Sequence, residues 1–123
     1  MMRTLLLVAL GGAIGSVLRY LTSALINKYF NGLFPLATFA INIIGCFIIG
    51  LGMGIIAKQP WAGDSFKFFF ITGFCGGYTT FSAFAGENVS LLQGGNSITA
   101  FAYIAASVIV GVLAVFAGLY IAR

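Results

Sequence analysis

The sequence predicts an all-α membrane protein: one domain over residues 1–123, with four transmembrane helices and the third broken near its midpoint. Three observations carry that prediction. Charged residues make up 7% of the chain, against roughly 25% in soluble domains. Hydrophobic residues reach 61%. Charge-free runs cover Thr4–Leu18, Tyr29–Ala57, Phe68–Gly86 and Asn88–Ala122, and a span needs about 20 mostly apolar residues. Four spans use nearly all of these residues and leave no stretch for a soluble domain.

The first span is expected at about Leu5–Ile26. Its apolar pattern continues past Arg19, so it reads as a full span rather than a cleaved secretory signal. Arg19 lies about seven residues, or roughly 10 Å, from the predicted helix end. It can snorkel to the surface or line a vestibule that attracts anions. Asn31-Gly32 and Pro35 then turn the chain into a second span at about Leu36–Ala57. Asn42 is costly in hydrocarbon unless its amide finds partners, either as an interhelical bond or facing a permeation path.

Pro60 and Gly63-Asp64 precede the third span, at about Phe66–Leu92. Within it, Gly73-Phe74-Cys75-Gly76-Gly77-Tyr78-Thr79-Thr80-Phe81-Ser82-Ala83-Phe84 mixes helix breakers, hydroxyls and a Phe pair. Gly76-Gly77 followed by Thr79-Thr80 should unwind the helix there. Irregular backbone at membrane depth survives only where protein or a water-filled path satisfies it, so this segment is the first functional candidate. Gly94-Gly95-Asn96 leads into the fourth span, at about Ile98–Ala122. There Thr99, Tyr103, Ser107 and Gly111 recur at four-residue spacing and form one stripe with a gap. Such hydroxyls either bond their own preceding turn or face another polar element.

Small residues dominate the expected helix contacts. Gly11 with Gly15, Gly50 with Gly54 and Gly73 with Gly77 are spaced for close helix approach, the usual association device in lipid. Part of this surface is expected to meet another subunit. Tyr29, Trp61 and Tyr120 read as interface anchors, and Phe68, Phe69 and Phe70 as lipid-facing bulk.

Several function classes are excluded. With no histidine, a His/Cys metal site fails on ligand count, and Cys46 and Cys75 read as small buried apolar residues. Basic residues are scattered at helix ends, which does not suggest nucleic acid. Arg3, Lys58, Lys67 and Arg123 fall on one side and Lys28 on the other, with Arg19 nearer the second; the first side is expected to be cytoplasmic. A broken helix frees carbonyls, which suit a hard cation such as sodium, beside hydroxyls, N–H groups and positive Phe ring edges, which suit an anion. Carboxylates are absent from the first, second and fourth spans, whereas cation paths commonly use Asp or Glu rings. Anion permeation is favoured; a coupled exporter would have only Glu87 as its titrating group.

These residues resemble the Fluc (CrcB) family of bacterial fluoride channels. The matching features are Gly12-Ala13-Ile14-Gly15 with Arg19-Tyr20, the run Thr38 to Gly45 (TFAINIIG), and Gly73 to Phe84. The resemblance implies no enzyme but a passive, fluoride-selective channel of the inner membrane, built in lipid as an antiparallel, dual-topology dimer with two pores. It implies a fluoride pathway through Asn42, Thr80, Phe81, Ser82, Phe84, Tyr103 and Ser107. Arg19 and Glu87 would stand at the vestibule, and the Gly76 and Thr79 carbonyls would hold a central structural sodium ion. Ala83 and Gly111 stand where many members carry hydroxyl residues, so the polar track is thinner here. The Lys/Arg bias also leaves room for half of a paired heterodimer.

Overall fold

The computed structural model describes all of residues 1–123. Four helices are long and apolar enough to cross a membrane: Met2–Tyr29, Leu36–Lys58, Asp64–Gln93 and Ser97–Ala122. The chain is therefore a multi-pass membrane protein. The first span is longer than expected at both ends, because the helix continues beyond its charge-free window through Arg3 and Lys28. Lys28 and Lys58 lie in the last turns of the first two spans, where a cation complements the helix dipole. Between the third and fourth spans, Gly95 takes φ 79°, a left-handed turn that glycine adopts without steric cost.

The third span consists of two unlike helices. Its N-terminal half begins as an α-helical turn, Asp64–Phe66, widens to π-helix over Lys67–Cys75 and closes with a turn at Gly76–Tyr78. Within it the Gly76 N–H reaches back five residues to the Ile71 carbonyl. Thr79 and Thr80 are extended, with ψ of 159° and 121°. The C-terminal half, Phe81–Gln93, is regular α-helix. The break thus falls on the two threonines rather than on Gly76-Gly77. Both glycines remain helical, and Gly77 is used for packing against Gly12.

Each half of the third span packs on a different neighbour. The N-terminal half lies along the first span; the C-terminal half turns onto the fourth, which itself packs along the second. A Cβ on Gly15 would run into the Phe74 carbonyl and the Tyr78 N–H, and one on Gly77 would come within 2.7 Å of the Gly12 carbonyl. Gly50 and Gly118 allow the same backbone approach between the second and fourth spans. The glycine pairs expected to reach partly toward another subunit are consumed inside the chain.

Phe66, Phe70, Phe74 and Tyr78 form a ladder of stacked rings with centroids 5.1, 5.8 and 6.1 Å apart. Its last member meets the Thr22 hydroxyl at 3.1 Å. Phe70 is therefore not lipid-facing bulk: its ring lies over Gly52. Only 19 of 123 residues are buried, so the chain encloses little interior, and its cluster of buried apolar side chains lies where the end of the third span meets the start of the fourth. Leu91, Ala100 and Tyr103 form that cluster, with Phe34, Phe39 and Phe84 against it.

Candidate functional site

The broken backbone is clamped by side chains from two other spans. An uninterrupted helix would direct the Thr80 N–H to the Gly76 carbonyl; here it donates to Asn42 Oδ1 at 2.9 Å. Asn42 Nδ2 in turn donates to the Thr80 carbonyl at 3.0 Å. The amide of Asn42 thus replaces a missing turn of helix, using one acceptor and one donor against the same residue. From the first span, Arg19 Nε donates to the Gly77 carbonyl at 3.1 Å. This contact accounts for an arginine at membrane depth: part of its donor set is satisfied by the break, and its charge lies beside it.

Thr80 also restarts the helix. Its hydroxyl accepts from the Ala83 N–H at 3.3 Å, an N-cap that satisfies one of the orphan donors of a new helix. The Ser82 hydroxyl lies 3.5 Å from that of Thr80 and is exposed. With the Thr80 N–H diverted and the Ala83 N–H capped, the Thr79 carbonyl receives no hydrogen bond. Gly76 has lost the donor it would have had in a continuous helix.

An open cleft of about 350 Å³ lies at the break, between the second, third and fourth spans. Asn42, Thr79, Thr80, Phe81, Phe84 and Ser107 are on its walls, together with Cys46. None of its lining residues is charged. The Phe81 and Phe84 rings are 5.8 Å apart and tilted by 44°. Phe81 is 78% exposed, whereas Phe84 meets the Tyr103 ring edge-on at 4.9 Å. The Ser107 hydroxyl is covered by protein and has no hydrogen-bond partner. It does not bond back to the preceding turn, and Ser107 is among the residues that line the cleft.

Tyr103 and Glu87 belong to a neighbouring network. Glu87 accepts from Thr38 Oγ1 at 2.7 Å and from the Tyr103 hydroxyl at 2.8 Å, one bond to each carboxylate oxygen. Tyr103 is fully buried, and it is absent from the wall of the first cleft. Glu87 and Thr38 border a second, polar cleft of about 290 Å³ with Ser23, Asn27 and Asn31. Phe84, Tyr103 and Glu87 therefore form the layer between the two clefts. Arg19 is not on the second cleft; its side chain bonds at the break.

Three polar residues of this region escaped sequence reasoning. Thr38 was legible as the partner of Asn42 one helical turn away, since i and i+4 share a face. Tyr78 gave no polar signal, because a tyrosine in a span reads first as bulk. Asn88 is 6% exposed and donates to the Phe84 carbonyl at 3.0 Å; it adjoins Glu87 in sequence but lies on the Phe84 face.

Together, the helix count, the broken third span and an uncharged cleft carrying a few polar groups at the break describe a small multi-pass membrane protein with a candidate ion site at membrane depth. Residues 6–119 match the family model described as "CrcB-like protein, Camphor Resistance (CrcB)". The chain belongs to that CrcB family. It is 54% identical over 122 residues to a protein of Flavobacterium psychrophilum named fluoride-specific ion channel FluC, covering 99% of this chain and 98% of that one. A protein of the same name from Azobacteroides pseudotrichonymphae is 48% identical over 118 residues, covering 96% and 94%. Another from Gloeothece citriformis is 42% identical over 122 residues, covering 99% and 98%. The relatives are named as ion channels, not enzymes.

Proposed function

We propose that this chain is a fluoride-selective channel that lets the ion leave a bacterium passively across the cytoplasmic membrane. The observation that carries the reading is the uncharged cleft at the helix break. An anion in it would meet hydroxyls, an amide and the positive edges of two Phe rings, with no carboxylate to repel it. The names of the relatives, at up to 54% identity, support fluoride as the ion. Entry runs from the polar cleft at Glu87 past Tyr103 and Phe84 to the break, with Asn42, Thr80, Ser82 and Ser107 supplying polar contacts.

The assembly proposed is an antiparallel homodimer in the lipid bilayer with two pores. The thin interior of one chain and the 78% exposure of Phe81 support a partner that completes the site. A two-fold axis in the membrane plane would bring two breaks together. The Gly76 and Thr79 carbonyls, one deprived of its helical donor and the other without any, suit a hard monovalent cation, as in unwound transporter helices. Sodium is the ion proposed; it would staple the breaks together and bias nearby space toward anions.

A coupled exporter is the less favoured reading. Glu87 is its one carrier candidate, and both its oxygens are already engaged by Thr38 and Tyr103. Fluoride efflux from liposomes holding the purified protein alone tests the channel. Rapid fluoride loss with chloride retained is expected; equal loss of both ions sinks it. A silent single chain that conducts only with an oppositely oriented relative would make it half of a heterodimer. Sodium removal during purification should weaken the dimer without changing the fold of each chain, as read by size-exclusion and circular dichroism.

A further inference from the structure

The two cysteines, alike in sequence, occupy unlike places. Cys75 is 1% exposed within the N-terminal half of the third span. Cys46 is on the wall of the first cleft, one helical turn beyond Asn42 and across from Ser107. Of the fourth span's stripe, Ser107 reaches this cleft. Tyr103 is committed to Glu87, Ser107 has a buried, unpartnered hydroxyl, and Gly111 has no side chain at all.

Space at Gly111 is not vacant for lack of a neighbour. A Cβ there would stand 3.5 Å from Cys46 Sγ and 3.9 Å from Ile43 Cδ1, ordinary van der Waals contact. The Cys46 sulfur therefore packs against the Gly111 position, and Cys46 rather than Gly111 is on the cleft wall. A thiol is a weak hydrogen-bond donor and a polarizable, mostly apolar body, so it changes both width and polarity where it projects.

We propose that Cys46 is a lining residue of the anion path, its thiol occupying the wall that Gly111 leaves bare, so that conduction at this level is set by sulfur instead of a hydroxyl. The proposal rests on the channel reading above. It explains how the stripe continues past Ser107: the next polar group comes from the second span, not the fourth.

Mercuric chloride, a small neutral thiol reagent, tests it on the full-length protein in liposomes, with fluoride efflux and intact mass read on the same sample. A Cys75→Ala protein, which keeps Cys46, should take up one mercury and lose most of its flux. Cys46→Ser should be insensitive to the reagent, whatever its own rate, and removal of mercury with excess thiol should restore flux to the first protein. A conducting Cys75→Ala protein that takes up no mercury, or takes it up and conducts unchanged, overturns the assignment. Absence of flux before any reagent is added instead overturns the channel reading, and this assignment with it. The wild-type chain gives the same comparison should the Cys75 variant fail to fold.

Discussion

From Asp64 to Tyr78 the third span is held by backbone: Gly15 and Gly77 let it approach the first span until carbonyls and N–H groups of one helix touch the other. From Phe81 to Gln93 it is held by side chains. Phe84 meets the Tyr103 ring edge-on, Glu87 joins Thr38 to Tyr103, and Gly86 has nothing within 4 Å of where a Cβ would sit. The first half is a fixed strut and the second a chemical surface. Between them, Thr79 and Thr80 free the second half to change neighbours, and at that change of neighbour lies an uncharged cleft into which a few polar groups are set among apolar ones.

This contrast can be broken most directly at Gly15. Gly15→Leu should cost about 3 kcal/mol or more, since overpacking against backbone cannot be relieved by a rotamer change. Gly86→Leu in the other half should stay within about 0.5 kcal/mol. Unfolding in graded SDS, with monodispersity on a sizing column, would compare them; equal losses would erase the distinction between the halves.

Asn42→Ala should be the next largest. It leaves the N–H and C=O of Thr80 without partners, each a penalty of about 1–3 kcal/mol. Hydrogen exchange at the Thr80 amide should accelerate selectively, and flux should fall with it. Protection that persists at Thr80 would mean the break is held by something other than this amide.

Tyr103→Phe removes one bond to a carboxylate and keeps the ring against Phe84, a loss of about 1.5 kcal/mol. The Thr38 bond to Glu87 should survive, so thermal unfolding should shift without loss of assembly. Smallest in stability are the Phe variants. Phe84→Ile should lose about 1 kcal/mol of aromatic contact, whereas the exposed Phe81→Ile should lose almost none within one chain. Both should depress fluoride flux in liposomes; wild-type flux in either would remove that ring from the pathway and sharpen which half of the pair faces the ion.

The positions of the four spans were legible because the bilayer makes length and apolarity nearly sufficient. That a break must occur between Gly73 and Phe84 was legible for the same reason, since polar backbone in hydrocarbon is conspicuous. Its location was not. Gly76-Gly77 are the stronger breakers by propensity, yet both stay helical, with Gly77 packed against Gly12, while Asn42 offers Thr80 a better partner than the next turn would. Thr80 as the N-cap of a new helix could have been read from its hydroxyl preceding Phe81; Arg19 reaching the Gly77 carbonyl could not, because the two are brought together only by the packing of the first span.

The sequence by itself determined a membrane protein of four helices, an interruption in the third and an anion-leaning chemistry, all consequences of what hydrocarbon tolerates. Tertiary structure decided the rest. It spent the glycines on contacts inside the chain, gave Tyr103 to Glu87 while leaving Ser107 unpartnered, and separated Cys46 from Cys75. Which polar group faces a path and which faces another helix depends on the rotation and neighbour of each span, and composition does not encode that until the helices pack.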